Sequence, residues 1–169
     1  MPEPITQPIN VLFLCTHNSA RSILAEAILN SLGKGRFKAY SAGSNPRENQ
    51  QPSPMALKTL ETAGISTVGL RSKNWDEFAT ADAPHMDLVI TVCDDAAGEV
   101  CPVWPGHPAT AHWAYSDPSA VHGTDEQKLA AFRHTLHDMY RRLDLLINLP
   151  LASVQRLMLE KSARDLSTS

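Results

Sequence analysis

The chain has 169 residues, 43% hydrophobic and 20% charged, which is the make-up of one globular domain able to bury a sizeable core. A formal net charge of −3 excludes a global basic field for nucleic acid or an anionic membrane, so an anionic ligand would have to be drawn by local groups. No apolar run reaches the ~20 residues of a membrane span, and the leader "MPEPITQPIN" lacks a signal peptide's basic and apolar regions. These features imply a cytoplasmic protein whose three cysteines, Cys15, Cys93 and Cys101, are reduced thiols.

After a flexible leader (1–8), "INVLFL" (9–14) reads as a buried strand, continuously apolar and bounded by polar residues. Ile23, Leu24, Ala27, Ile28 and Leu32 follow at helical spacing, and "LGKG" stops that helix. "FKAYSAG" (37–43) is a second strand. Ser53, Pro54 and Gly64 bracket a second helix as N-cap, first residue and terminator. "RSKNWDEFATADAP" reads as a loop with a short helix. "MDLVITVC" (86–93) is a third buried strand, and "AHWAYSDP" (111–118) a shorter, more polar fourth. A capping box at Thr124 and Gln127 opens a long helix with Leu129, Phe132, Leu136, Met139, Leu143, Leu146 and Ile147 on one face. Residues 149–169 read as an extra C-terminal helix with a polar tail. The expected fold is therefore one α/β domain over 9–148, a four-stranded parallel sheet with helices on both faces, plus that extension.

Ligands of such sheets bind beyond the carboxyl ends of the strands. Cys15, Ser41, Cys93 and the Asp117-Pro118 pair all fall there, so the cysteines are read as chemical groups rather than small core hydrophobes. "CTHNSARS" (15–22) leads from a strand into a helix, and its backbone N–H groups would form an anion cradle over Thr16, His17, Asn18, Ser19, Ala20, Arg21 and Ser22. The helix dipole and the Arg21 guanidinium would favour the thiolate of Cys15, Arg21 would fork two oxygens of a tetrahedral oxyanion, and Ser22 would donate to the sulfur. Asn18 suits a left-handed loop position, and His17 reads as a solvated residue.

"CTHNSARS" before a helix, "YSAG" after the second strand and the late "SDP" together resemble the low-molecular-weight protein tyrosine phosphatases, over about residues 9–147. The resemblance implies Cys15 as nucleophile, Arg21 as oxyanion ligand and Asp117 as general acid. From the residues alone, "SDP" is also a good turn initiator, but its place after the fourth strand favours the catalytic role. The family has two branches, phosphatases and thioredoxin-coupled arsenate reductases. Arsenate and phosphate share charge and shape, so the cradle does not separate them. Arsenate reduction, however, takes two electrons.

"CDDAAGEVCPVWPGH" carries thiols for them, with seven residues between Cys93 and Cys101. As a zinc site the pair is poor, because no second close pair of ligands accompanies it. The stretch looks like the redox segment of the reductase branch, and "HWAYSDPSAVHGTDEQK" is similar to that branch too. The resemblance implies reduction of arsenate to arsenite through Cys15, Cys93 and Cys101, with no tightly bound cofactor. Reducing equivalents would come from thioredoxin or a glutaredoxin-type dithiol. The segment is one residue longer than in those reductases, and His17 and Ala20 stand where relatives often have glycine or an extra cysteine. Some members hold potassium beside the loop, and Asn18, Glu26 and Ser41 match those positions; Glu26 reads as well as a solvated helix residue. The alternatives are a phosphotyrosine phosphatase whose extra cysteines protect Cys15, and a non-catalytic oxyanion sensor, which would need neither Asp117 nor a thiol pair.

Overall fold

In a computed structural model, residues 8–92, 108–148 and 163 are described. The element order begins with strand β1 (Ile9–Cys15), helix α1 (Arg21–Leu32), strand β2 (Phe37–Gly43) and helix α2 (Pro54–Thr62). Strands β3 (Leu88–Thr91) and β4 (Ala109–His112) and helix α3 (Asp125–Ile147) follow. The four strands form one parallel sheet, as the alternation of strands and helices predicts, and their order is β2-β1-β3-β4.

Alternation along β1 divides the core in two, because successive side chains point to opposite faces. Val11, Phe13 and Cys15 share the larger core with Leu24 and Ile28 of α1, Leu60 of α2, and Leu136, Met139 and Leu143 of α3. Each fully buried leucine or isoleucine there stabilises the fold by about 1.5–3 kcal/mol. Leu12 and Leu14 face the other way, against Trp75, Phe78, Met86 and Val89. Among the described residues this second face carries a 3₁₀ helix, Trp75–Phe78, within the stretch read as a loop with a short helix. Two aromatic side chains on that short element cover the narrow apolar strip.

Thr124 and Gln127 form the capping box read from the sequence, each side chain bonding the other's backbone N–H, at 3.2 and 2.8 Å. Ser53 precedes α2 but makes no side-chain cap; its N–H instead donates to the Ser19 carbonyl at 2.7 Å, tying α2 to the loop after β1.

Two strands are shorter than expected. β3 starts at Leu88 because Met86 packs on the second face before the ladder begins. β4 covers Ala109–His112 rather than 111–118. Trp113 makes its last ladder bond to Thr91 O, and its indole donates to the carbonyl of Ala163, the one described residue of the C-terminal region. Beyond it the chain turns toward α1. Cys93, Cys101 and almost all of the expected C-terminal helix lie outside the described residues.

Candidate active site

β1 and β2 run in register to their ends, with Cys15 opposite Gly43, and α1 starts at Arg21. The chain must therefore reverse over Thr16–Ala20. It does so with Asn18 at φ +56°, the left-handed conformation that asparagine tolerates. A side chain at Gly43 would sit 2.7 Å from Thr16 O and 3.0 Å from Asn18 N, so the loop closes only over a glycine. No side chain caps α1, and its first turn holds no carboxylate. The positive end of its dipole and its first-turn N–H groups thus face the loop, with no competing carboxylate or side-chain cap among the described residues.

The sulfur of Cys15, 3% exposed, lies 2.8 Å from Ser22 Oγ and accepts from Asn18 N at 3.3 Å. Asn18 Nδ2 donates to Ser22 Oγ at 2.7 Å, which leaves the Ser22 hydroxyl proton free to point at the sulfur. Donors aimed at sulfur favour the thiolate over the thiol.

Asn18 is wholly buried and bonded on every side. Its Nδ2 also donates to Ser41 Oγ at 2.9 Å, its Oδ1 accepts from Lys73 N at 2.9 Å, and its carbonyl accepts from Ser72 Oγ at 2.6 Å. Ser41 Oγ in turn donates to Glu26 Oε1. The Lys73 ammonium closes this cluster, donating to the carbonyls of Ser41 and Arg71 at 2.8 Å each and lying 3.9 Å from Glu26 Oε1. Burial pushes the Glu26 carboxyl up, opposed by the Ser41 hydrogen bond and by Lys73. Burial likewise pulls the Lys73 ammonium down, opposed by Glu26.

The outer rim is held through backbone. Ser44 N and Asn45 N donate to the carbonyls of Cys15 and Thr16 at 3.0 and 2.8 Å. His17 is tied down as well, its Nδ1 lying 2.9 Å from Asn45 O, where the sequence suggests a solvated side chain.

Arg21 joins the loop to the segment after β4. Its Nη1 donates to Tyr115 O at 3.1 Å, and its Nη2 lies 3.7 Å from Asp117 Oδ2. Asp117 also caps the turn Pro118–Ala120, with Oδ1 accepting from Ser119 N at 2.9 Å, so the turn-initiator reading and the placement beside Arg21 both hold. Tyr115 lies under the Arg142 guanidinium, 5.0 Å from the ring centroid, and burial pushes its phenol up to about 12 against the pull of Arg142. Its ring is thereby kept neutral while its carbonyl holds Arg21.

The structure thus brings together Cys15, Asn18, Arg21, Ser22, Glu26, Ser41 and Asp117. Three contributors had no reading in the sequence. Lys73 sits in a stretch read only as loop. Gly43 is marked only by its place in "YSAG". The Tyr115 carbonyl is a backbone acceptor and leaves no mark in sequence.

A cysteine at the end of the first strand, a loop at the head of α1 closed by an arginine, and an aspartate from the segment after the last strand thus meet at the carboxyl edge of a parallel α/β sheet. The sequence pattern of the low molecular weight phosphotyrosine protein phosphatases matches residues 10–160, and the chain belongs to that family. The arsenate reductase of Bacillus subtilis strain 168 is 36% identical over 133 residues, spanning 79% of this chain and 91% of that protein. Among solved structures, the arsenate reductase of Archaeoglobus fulgidus superposes with a TM-score of 0.62 at 28% identity, covering 81% of this chain and 98% of that one. The low molecular weight protein tyrosine phosphatase from T. tengcongensis does so with a TM-score of 0.64 at 26% identity, covering 82% and 97%. The fold is therefore common to both activities.

Proposed function

We propose that this protein is an arsenate reductase in which Cys15 is the nucleophile. The observation that carries this reading is the Cys15 sulfur, set between two donors at the head of α1, in a chain 36% identical to a curated arsenate reductase. Arsenate would sit on the N–H groups of the loop and on the Arg21 fork. The thiolate would attack arsenic, and Asp117 would protonate the departing oxygen.

Arsenic must then gain two electrons. In this account Cys93 attacks the Cys15 sulfur. The Cys15–Cys93 bond forms, the sulfur–arsenic bond breaks, and arsenite leaves with the electron pair. Cys101 next attacks Cys93, releasing Cys15 as thiolate, and an external dithiol of the thioredoxin or glutaredoxin type reduces the Cys93–Cys101 disulfide. The cycle needs no tightly bound cofactor. It does need a reducing compartment, for which the cytoplasm is the natural setting. No helix among the described residues is long and apolar enough to cross a membrane.

Phosphatase action on phosphotyrosine is the second reading, supported by the shared cradle and by the T. tengcongensis neighbour. It would use Cys15, Arg21 and Asp117 but neither Cys93 nor Cys101. The separating experiment measures arsenite formed with thioredoxin, thioredoxin reductase and NADPH beside phosphatase turnover in one preparation. Sustained arsenite production is expected, and phosphatase turnover with no arsenite would replace the proposal with its rival.

A further inference from the structure

Behind the anion loop, the residues that match a monovalent-cation site already hold a positive charge of the protein's own. The Lys73 side chain is 8% exposed, with two of its ammonium protons on the carbonyls of Ser41 and Arg71 and the Glu26 carboxylate 3.9 Å away. From there an unbroken chain runs to the nucleophile: Ser41 Oγ bonds Glu26, Asn18 Nδ2 bonds both Ser41 and Ser22, and Ser22 Oγ and Asn18 N meet the sulfur. The Lys73 N–H also holds Asn18 Oδ1, so one residue fixes the loop from backbone and side chain together. A potassium ion near Ser41 and Glu26 would have to displace the ammonium or share its oxygens with it. The donor set does not fit an added cation.

We infer that Lys73 is a positioning residue that stands in for a bound monovalent cation, holding the Cys15 loop in its anion-binding shape without potassium. A buried carboxylate requires a partner of opposite charge, and a tethered ammonium supplies it with no ion to recruit. The position is reachable from outside, since a depression of about 530 Å³ lined by Glu26, Lys38, Arg71, Lys73 and Glu77 opens beside it. If the lysine were shortened, an ion could enter and take its place.

This inference uses the same cradle as the proposed reductase, but it can be read out without arsenate. The test compares wild type with Lys73→Thr in about 0.1 M potassium chloride and in choline chloride of equal ionic strength. The rate of iodoacetamide alkylation of the Cys15 peptide is followed by mass spectrometry as a function of pH. Hydrolysis of p-nitrophenyl phosphate and reduction of arsenate are measured beside it. Wild type should give the same alkylation profile in both salts. In choline, K73T should show a Cys15 profile displaced to higher pH and turnover lowered about tenfold, and potassium should restore much of both.

A potassium-dependent profile in wild type would overturn the inference, as would K73T behaving like wild type in choline. So would a displaced K73T profile that potassium leaves unmoved, because Lys73 would then act as something other than a cation. A potassium-dependent wild type would overturn the inference even if K73T does not fold, and Lys73→Met, which keeps the bulk of the side chain without its charge, then takes the place of K73T in the same two salts. Loss of arsenate reduction alone, with the alkylation results as expected, would count against the reductase reading and leave the role of Lys73 standing.

Discussion

The two walls of the site are built to different standards. The loop wall, Cys15 to Ser22, is backed by groups with no solvent contact: Asn18, Ser22 and Ser41 are all 0% exposed and bonded to one another. The opposing wall is the Asp117 turn, whose side chain is 39% exposed and meets Arg21 at 3.7 Å. The difference is the one the proposed mechanism would require. A thiolate needs donors fixed before the anion arrives, because donors that had to reorient would cost energy during the reaction. A general acid must give up a proton and regain it from water, so it keeps a path to solvent. Burial and hydrogen bonding are thus dense around the thiol and sparse around the Asp117 side chain.

That contrast can be broken from either side. Arg21 is common to both walls, through Tyr115 O and Asp117. Arg21→Lys keeps the charge but loses the planar fork, and kcat/KM should fall about 10²–10³-fold with little change in melting temperature. A small loss would mean that the guanidinium geometry is unimportant.

Asn18→Ala should damage stability as well as turnover. It strands the Lys73 N–H and takes one bond each from the buried hydroxyls of Ser22 and Ser41, at a cost of about 3 kcal/mol in denaturant unfolding. Asp117→Asn should do the reverse, lowering kcat about 10²-fold. Its unfolding midpoint should stay near wild type, because the amide oxygen can still accept from Ser119 N. If the two variants lost stability alike, the contrast between the walls would be wrong.

The smallest effect should come from the rim. The Glu77 carboxyl is held below its ordinary value of 4.5, first by its hydrogen bond from Arg71. That contribution is complete above 4.5 and fades as pH falls through the lowered folded-state value. Both side chains are about half exposed, so Glu77→Gln should cost well under about 1 kcal/mol at neutral pH and nothing in acid. A pH-independent loss would show that the residue acts through packing.

Legibility in the sequence tracked the range of the interactions. The loop's chemistry was local: Cys15, Asn18 and Ser22 lie within one turn of chain, and their spacing alone set the sulfur, the left-handed residue and the donor in order. The capping box of α3 was legible for the same reason. Lys73 was not, because it reaches Ser41 only after the chain has passed through α2 and returned to β2 at the Gly43–Asn74 bridge. The early end of β4 was equally hidden. "AHWAYSDP" carries strand-favouring aromatics at Trp113 and Tyr115, but Trp113 is recruited by Ala163 and the Tyr115 carbonyl by Arg21, both distant partners.

The central claim is that Cys15 and a second thiol of the same chain together supply the two electrons that reduce arsenate, becoming a disulfide as arsenite leaves. The most direct measurement is single-turnover reaction of Cys101→Ser with arsenate and no external reductant, with arsenite quantified and disulfides mapped by mass spectrometry. The account predicts about one arsenite per protein and a Cys15–Cys93 disulfide, with neither formed in Cys15→Ser. Arsenite release from Cys15→Ser, or none from Cys101→Ser while its Cys15 still hydrolyses p-nitrophenyl phosphate, would contradict it.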